Sequence, residues 1–329
     1  MRFHVERLSP SFAAWLLPLA WLFLALAGTS AARAETAVQQ ADYRITALID
    51  PPRHGLEAEV TVTVPVAAAG QPIEFVLAAN LAISKSSLPL EKRPMVAGDE
   101  LFSGINGSSE AIARRRGVSR YRVTLPAGAR EFSLRYAGLV DMQPETSAEE
   151  YARSFAETPG IIDPKGVYLA GSTLWYPQLL APVVSELMTY SLEVNAPAGW
   201  HLIAPGNGTS AGANGKARWH SPSPVDEITL SGGPLTEYTA QAGKVQAQVY
   251  LHKDDPAMAA KYLDATSRYL RMYNELIGPY PYEKFALVEN FWETGYGMPS
   301  YTLLGPQIVR FPFILTSSYP HEILHNWWG

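Results

Sequence analysis

Between Asp42 and Tyr238 the sequence is a succession of short runs in which apolar and polar residues alternate, each closed by proline or glycine. Leu56-Glu-Ala-Glu-Val-Thr-Val-Thr-Val64 is the clearest run. It places Val60, Val62 and Val64 on one face, because successive side chains of a strand point to opposite sides. Tyr43–Ile49, Ile73–Leu77, Tyr121–Leu125, Phe132–Tyr136, Thr189–Val194 and Glu227–Leu230 read the same way. Pro51-Pro52, Pro126, Gly128, Pro197, Gly199 and Gly232-Gly233 punctuate them. Many short strands with such turn signals predict an all-β sandwich or a saddle-shaped sheet assembly. No repeat of fixed period is present.

The pattern changes near residue 240. Val245–Leu251 is one more strand, and Asp254-Asp255-Pro256 then supplies an N-cap with proline at the first helical position. Met258, Tyr262, Thr266, Tyr269, Leu270, Tyr273 and Ile277 recur at helical spacing, and Gly278, Pro279 and Pro281 end the run. The spacing predicts a helix of about 22 residues. Phe285–Glu289 reads as a strand, Gly295-Tyr-Gly-Met-Pro299 as a turn-rich segment, and Tyr301–Leu304 as another strand. A last helix starts at Ser317-Ser318, where a serine can cap it. The expected organisation is multidomain α and β. A signal peptide spans 1–34, an N-terminal β domain 35–240, and a second domain begins at 241 and runs to 329.

The signal reading rests on Arg2 and Arg7, an apolar run from Phe12 to Leu26, and the A-x-A site Ala32-Arg33-Ala34. The run is shorter than the roughly 20 residues a spanning helix needs. Cleavage after Ala34 is expected, giving a periplasmic or secreted protein with no stable membrane span. An uncleaved, membrane-anchoring signal is the alternative. Cleavage removes three arginines and one glutamate, which takes the net charge of −5 to −7. The acidic balance excludes a nucleic-acid binder of the usual basic kind. The one basic run, Arg114-Arg115-Arg116, is flanked by glycine and serine and reads as a solvated loop. With no cysteine, an exported chain has no disulfides and depends on its core alone.

The chemistry gathers in His321-Glu-Ile-Leu-His-Asn-Trp-Trp-Gly329. Histidines four apart on a helix share a face and can reach one Zn²⁺. Glu322, beside the first ligand, is placed to act as general base while the zinc acidifies water and polarises a carbonyl. A catalytic zinc site usually has three protein ligands. His4 leaves with the signal, and His54, His201, His220 and His252 read as surface or turn residues, so the third ligand is expected outside these 329 residues.

From Tyr43 onward the chain resembles the membrane alanyl aminopeptidase family of gluzincins, thermolysin-like zinc metallopeptidases with an added N-terminal β domain. The terminal motif is similar to that family's H-E-x-x-H-x-W-[FW]-G. Ile277-Gly-Pro-Tyr-Pro-Tyr-Glu-Lys-Phe285 and Trp175-Tyr-Pro177 resemble further landmarks. The resemblance implies that 241–329 is the start of a thermolysin-like α+β catalytic domain. It implies that His321 and His325 bind zinc and that Glu322 is the base. It puts a third ligand, a glutamate, at position 344 and a transition-state tyrosine beyond that, so the chain reads as C-terminally truncated. The family's G-x-M-E-N exopeptidase motif is matched only in part by Tyr296-Gly-Met-Pro-Ser300. Gly297, Met298 and Pro299 are the substrate-binding candidates, and Pro299 stands where the amine-binding glutamate would be. Glu289 and Glu293 are candidate replacements.

The resulting expectation is zinc-dependent peptide-bond hydrolysis in the complete protein, acting on peptide substrates. The 329-residue chain by itself is expected to be inactive and prone to aggregate. A catalytically relaxed, peptidase-like peptide-binding protein is the alternative.

Overall fold

Alternation decides the first layer. In Ala41–Asp50 every second side chain is buried, among them Tyr43, Ile45, Ala47 and Ile49. The strand pairs antiparallel with Gly55–Thr63 and parallel with Met188–Asn195. Seven strands make this sheet, in the spatial order Asn207–Thr209, Lys216–His220, Met188–Asn195, Ala41–Asp50, Gly55–Thr63, Glu131–Leu139, Leu81–Ser86. Val60, Val62 and Val64 are fully buried. This computed structural model describes residues 40–96, 117–146, 156–180, 187–210 and 214–328. The signal segment, Arg114-Arg115-Arg116 and Gly329 lie outside the described residues.

A four-stranded sheet built on Pro72–Ala78 and Val118–Thr124 packs against the seven-stranded one, with Phe75 and Phe132 stacked at 5.7 Å between centroids. A second four-stranded sheet joins Gly160–Asp163, Gly166–Leu169, Leu230–Gly233 and His201–Ile203. Trp175-Tyr-Pro177 pins the interior. The Trp175 indole N–H donates to the Ile228 carbonyl at 3.0 Å, and the Tyr176 hydroxyl accepts from the Ile228 N–H at 3.1 Å. The architecture is β-rich with few helices, as the alternation predicts.

One strand is displaced from its expected position. Glu227–Leu230 is not a strand as a whole; the strand is Leu230–Gly233. Gly232 and Gly233 therefore lie within the ladder and do not end it. A Cβ on Gly232, whose φ is +144°, would come within 2.0 Å of the His201 carbonyl oxygen, so close approach of the neighbouring strand requires glycine there.

The remaining sheet has five strands in the order Thr236–Ala242, Val245–Leu251, Lys284–Glu289, Tyr301–Leu304, Gly295–Met298. Position 240 lies inside the first of these strands. The central pairings are parallel, and the crossover from Val245–Leu251 to Lys284–Glu289 is the helix Pro256–Leu276. Both faces of the sheet are covered. Ala286, Val288, Tyr301 and Leu303 belong to the core shared with the N-terminal sheets. Val249, Leu251, Phe285, Leu287 and Leu304 pack with Tyr262, Leu270, Tyr319 and Ile323 of the helices. Burial on two sides is why Phe285–Glu289 reads as a nearly continuous apolar run.

The helix begins as its sequence requires. Asp255 Oδ1 accepts from the Met258 N–H at 2.9 Å, Pro256 occupies the first position, and Gly278 follows the end with φ +143°. The final helix, Ser318–Leu324, differs from expectation at its cap. Ser317 holds the N-cap position, but its hydroxyl donates back to the Phe313 carbonyl at 2.8 Å and caps nothing. The segment read as turn-rich is a strand, Gly295–Met298, that turns only at Pro299 and Ser300.

Candidate metal centre

His321 lies in the last helix, and His325 follows it with helical backbone angles, φ −55° and ψ −17°. The four-residue spacing therefore holds through the helix end. The two rings are 4.5 Å apart between centroids, and their Nε2 atoms lie 3.0 Å apart. His325 Nδ1 is 3.2 Å from the Trp328 carbonyl oxygen, an acceptor that favours the proton on Nδ1 and leaves a lone pair on Nε2. With that tautomer, the 3.0 Å contact between the rings is made by a proton on His321 Nε2. Moving that proton to its own Nδ1 frees a second lone pair on the same side. Both histidines are exposed.

Glu322 reaches the edge strand beside His325. A Cβ on Gly297 would lie 2.3 Å from Glu322 Oε2 and 3.2 Å from His325 Cδ2, so the helix sits on a strand stripped of side chain at that point. Burial pushes the Glu322 carboxyl above its ordinary value, an effect that His325 and His321 oppose. Gly297→Ala should leave the fold intact, because the atom it meets is the mobile end of a side chain. It should displace the carboxylate, and under the general-base role proposed below a displacement near 1 Å costs about 100-fold in rate in a protein that includes position 344. Unchanged turnover with an unchanged thermal midpoint would count against this placement.

Side chains not anticipated from the sequence hold the two elements together. Asn326 Oδ1 accepts from the Ser300 N–H at 2.6 Å and the Tyr280 hydroxyl at 3.3 Å, while its Nδ2 donates to the Ile323 carbonyl at 2.9 Å. Trp327 donates to the Gly278 carbonyl at 3.1 Å and packs edge-on against Tyr273. Trp328 is exposed. Lys284 is buried, and its ammonium donates to Ser300 Oγ at 2.6 Å and to the carbonyls of Ser300 and Ala204 at 3.2 Å. Ser300, at φ +71°, so ties the turn after the edge strand to the N-terminal sheets. A lone lysine heading an apolar run was the one signal of this network in the sequence; its partners are remote in the chain.

Of the candidate substrate residues, Gly297 adjoins the motif. Met298 is buried on the opposite face, where the Thr229 hydroxyl approaches its sulfur at 3.4 Å, and Pro299 is half-buried in the turn. The outer edge of Gly295–Met298 pairs with no strand among the described residues. Glu289 is committed elsewhere, accepting from Arg310 at 2.6 Å and from the His252 N–H at 2.8 Å. Glu293 accepts from the Gln307 N–H at 2.8 Å.

The donors suit zinc as far as they go: two imidazoles able to present lone pairs to one point, with a carboxylate close by. Among the described residues no group of three or more His, Cys, Asp or Glu is placed to hold a metal ion.

The fold is that of the M1 zinc metallopeptidases. The chain is similar to the M1 zinc metallopeptidase of Deinococcus radiodurans at 20% identity and a TM-score of 0.56, covering 89% of this chain and 64% of that one. A mutant of that enzyme bound to a Tyr-Ser-Ala substrate matches at 19% identity and 0.57, with the same coverage. Native yeast LTA4 hydrolase matches at 9% identity and 0.58, over 88% of this chain and 44% of that one. The chain thus spans 64% or less of the length of these structures. No sequence-family model matches it, and no curated protein does.

Proposed function

We propose that this chain carries part of an M1-type gluzincin peptidase, in which His321 and His325 are two zinc ligands and Glu322 is the general base. The observation that carries the reading is the convergence of the two Nε2 atoms at 3.0 Å beside a carboxylate seated on a strand whose outer edge pairs with no strand among the described residues. Zinc bound there supplies Lewis acidity, which lowers the pKa of water toward ~7 and polarises a carbonyl. Glu322 takes the proton from the attacking water and delivers it to the leaving amine. The edge Gly295–Met298 offers backbone N–H and C=O groups along which an extended peptide can add as a further strand. Residues 35–240 form the β domain of this scheme and the residues from 241 the start of the catalytic one. The third donor, a glutamate by resemblance, comes from position 344, and export to the periplasm or outside follows the signal sequence. No helix among the described residues is long and apolar enough to cross a membrane.

Pro299 cannot pair with an ammonium, Glu289 is taken up by Arg310 and the His252 N–H, and Glu293 uses one oxygen on the Gln307 N–H. These observations favour a second reading, a peptide-binding protein of the same fold with a relaxed site. The test is elemental analysis of the protein that includes position 344. Stoichiometric zinc that is lost in both His321→Ala and His325→Ala is expected. Full zinc content in those variants would remove the assigned ligands.

A further inference from the structure

Three strands of the five-stranded sheet, Val245–Leu251, Lys284–Glu289 and Tyr301–Leu304, run in one direction, so their carboxyl ends open at the same end of the sheet. Ligands enter open sheets at that end because the connections diverge there. A cavity of about 620 Å³ occupies it. Its wall takes residues that follow each strand: His252 and Lys253 after the first, Asn290 after the second, Gln307 after the third. Lys165 and Arg310 add two cations, and Pro164, Pro234, Phe291 and Pro306 supply apolar wall between them. None of these residues belongs to the metal motif.

The wall is cationic in an otherwise acidic chain. Lys165, Lys253 and Arg310 face one carboxylate, Glu289. That carboxylate is buried and spent, with one oxygen accepting from Arg310 and the other from the His252 N–H. Arg310 makes both of its contacts, to Glu289 and to the Pro306 carbonyl, through Nη1. The Nε–Nη2 edge of its guanidinium remains, a fork that suits two oxygens of one anion. Asn290 is 2% exposed, and its side-chain Nδ2 has no hydrogen-bond partner; neither has His252 Nε2. A buried donor left without an acceptor is destabilising unless a bound group or water completes it.

We propose that this cavity binds a small oxyanion, a carboxylate or phosphate group, held by Lys165, Lys253 and Arg310 with the Asn290 amide as a neutral donor. The site stands or falls independently of zinc, since it uses none of the same side chains.

Titration calorimetry on the full chain tests it with three probes: inorganic phosphate, N-acetylglycine and N-acetylglycinamide. Binding of phosphate, of acetylglycine, or of both is expected, with the uncharged amide silent. Phosphate alone identifies a phosphate ligand, and acetylglycine identifies a carboxylate. The double variant Lys165→Ala/Lys253→Ala removes only exposed side chains and should weaken binding at least about tenfold, as should Asn290→Ala. Added salt should weaken it further. Failure of both anions to bind, equal binding of the amide, or unchanged affinity in the double variant would overturn the proposal. Glu322→Gln should leave this binding untouched.

Discussion

Replacing Glu322 by glutamine should lower peptide hydrolysis by about 10²–10⁴-fold while leaving zinc content and thermal midpoint close to those of the parent. The expectation rests on the proposed function and concerns a protein that includes position 344. The amide keeps the size and planarity of the carboxylate, so the contact with Gly297 survives. What it loses is the ability to accept a proton. Glu322 lies between the two proposed ligands in sequence but reaches the strand, so its replacement need not disturb the Nε2 pair. Loss of activity accompanied by loss of zinc would make Glu322 a structural support of the site. Retained activity would remove it from the chemistry altogether. The relaxed, peptide-binding reading predicts a third pattern, in which the parent itself has no activity to lose and still binds peptide.

The second large effect is expected at Lys284. Its ammonium sits against the rings of Trp219 and Tyr301, at 4.8 and 5.3 Å, and its three hydrogen-bond acceptors are two backbone carbonyls and a hydroxyl. Lys284→Ala removes the donor and opens a cavity, and should cost roughly 2–4 kcal/mol. Lys284→Met keeps most of the stem and relieves the burial of charge, so it should lie nearer the parent. The pH dependence separates this account from simple packing. Burial lowers the Lys284 pKa well below its ordinary 10.5. Between that lowered value and 10.5 the unfolded chain binds the extra proton, so stability rises with pH across the window. It is lost as pH falls through the folded value. Urea unfolding at several pH values should therefore show Lys284→Met gaining on the parent as pH decreases. A difference that does not vary with pH would show that Lys284 acts through shape alone.

Much of the architecture was legible because its signals are local. Period-two alternation marked Ala41–Asp50 and Gly55–Thr63, and Asp255, Pro256 and Gly278 marked the ends of the long helix. Errors arose where contact with a neighbour overrode local preference. Gly232-Gly233 reads as a turn but lies in a strand, because the adjacent strand leaves no room for a Cβ. Gly295–Met298 reads as turn-rich for the same reason, since its glycine accommodates a helix.

The candidate metal motif shows the same division. The His321–His325 spacing and the neighbouring carboxylate were set by sequence alone, because an α-helix converts a four-residue interval into one shared face. The tertiary structure alone decided where that face is held. It placed Glu322 over Gly297, joined Asn326 to the turn at Ser300, and buried Lys284 beneath that turn. It also gathered Lys165, Asn290 and Arg310 around one cavity from segments far apart in the chain. Helical periodicity acts over a few residues and is written in order along the chain. Hydrogen bonds and charge pairing across packed layers depend on which distant segments fold together, and no local spacing records that.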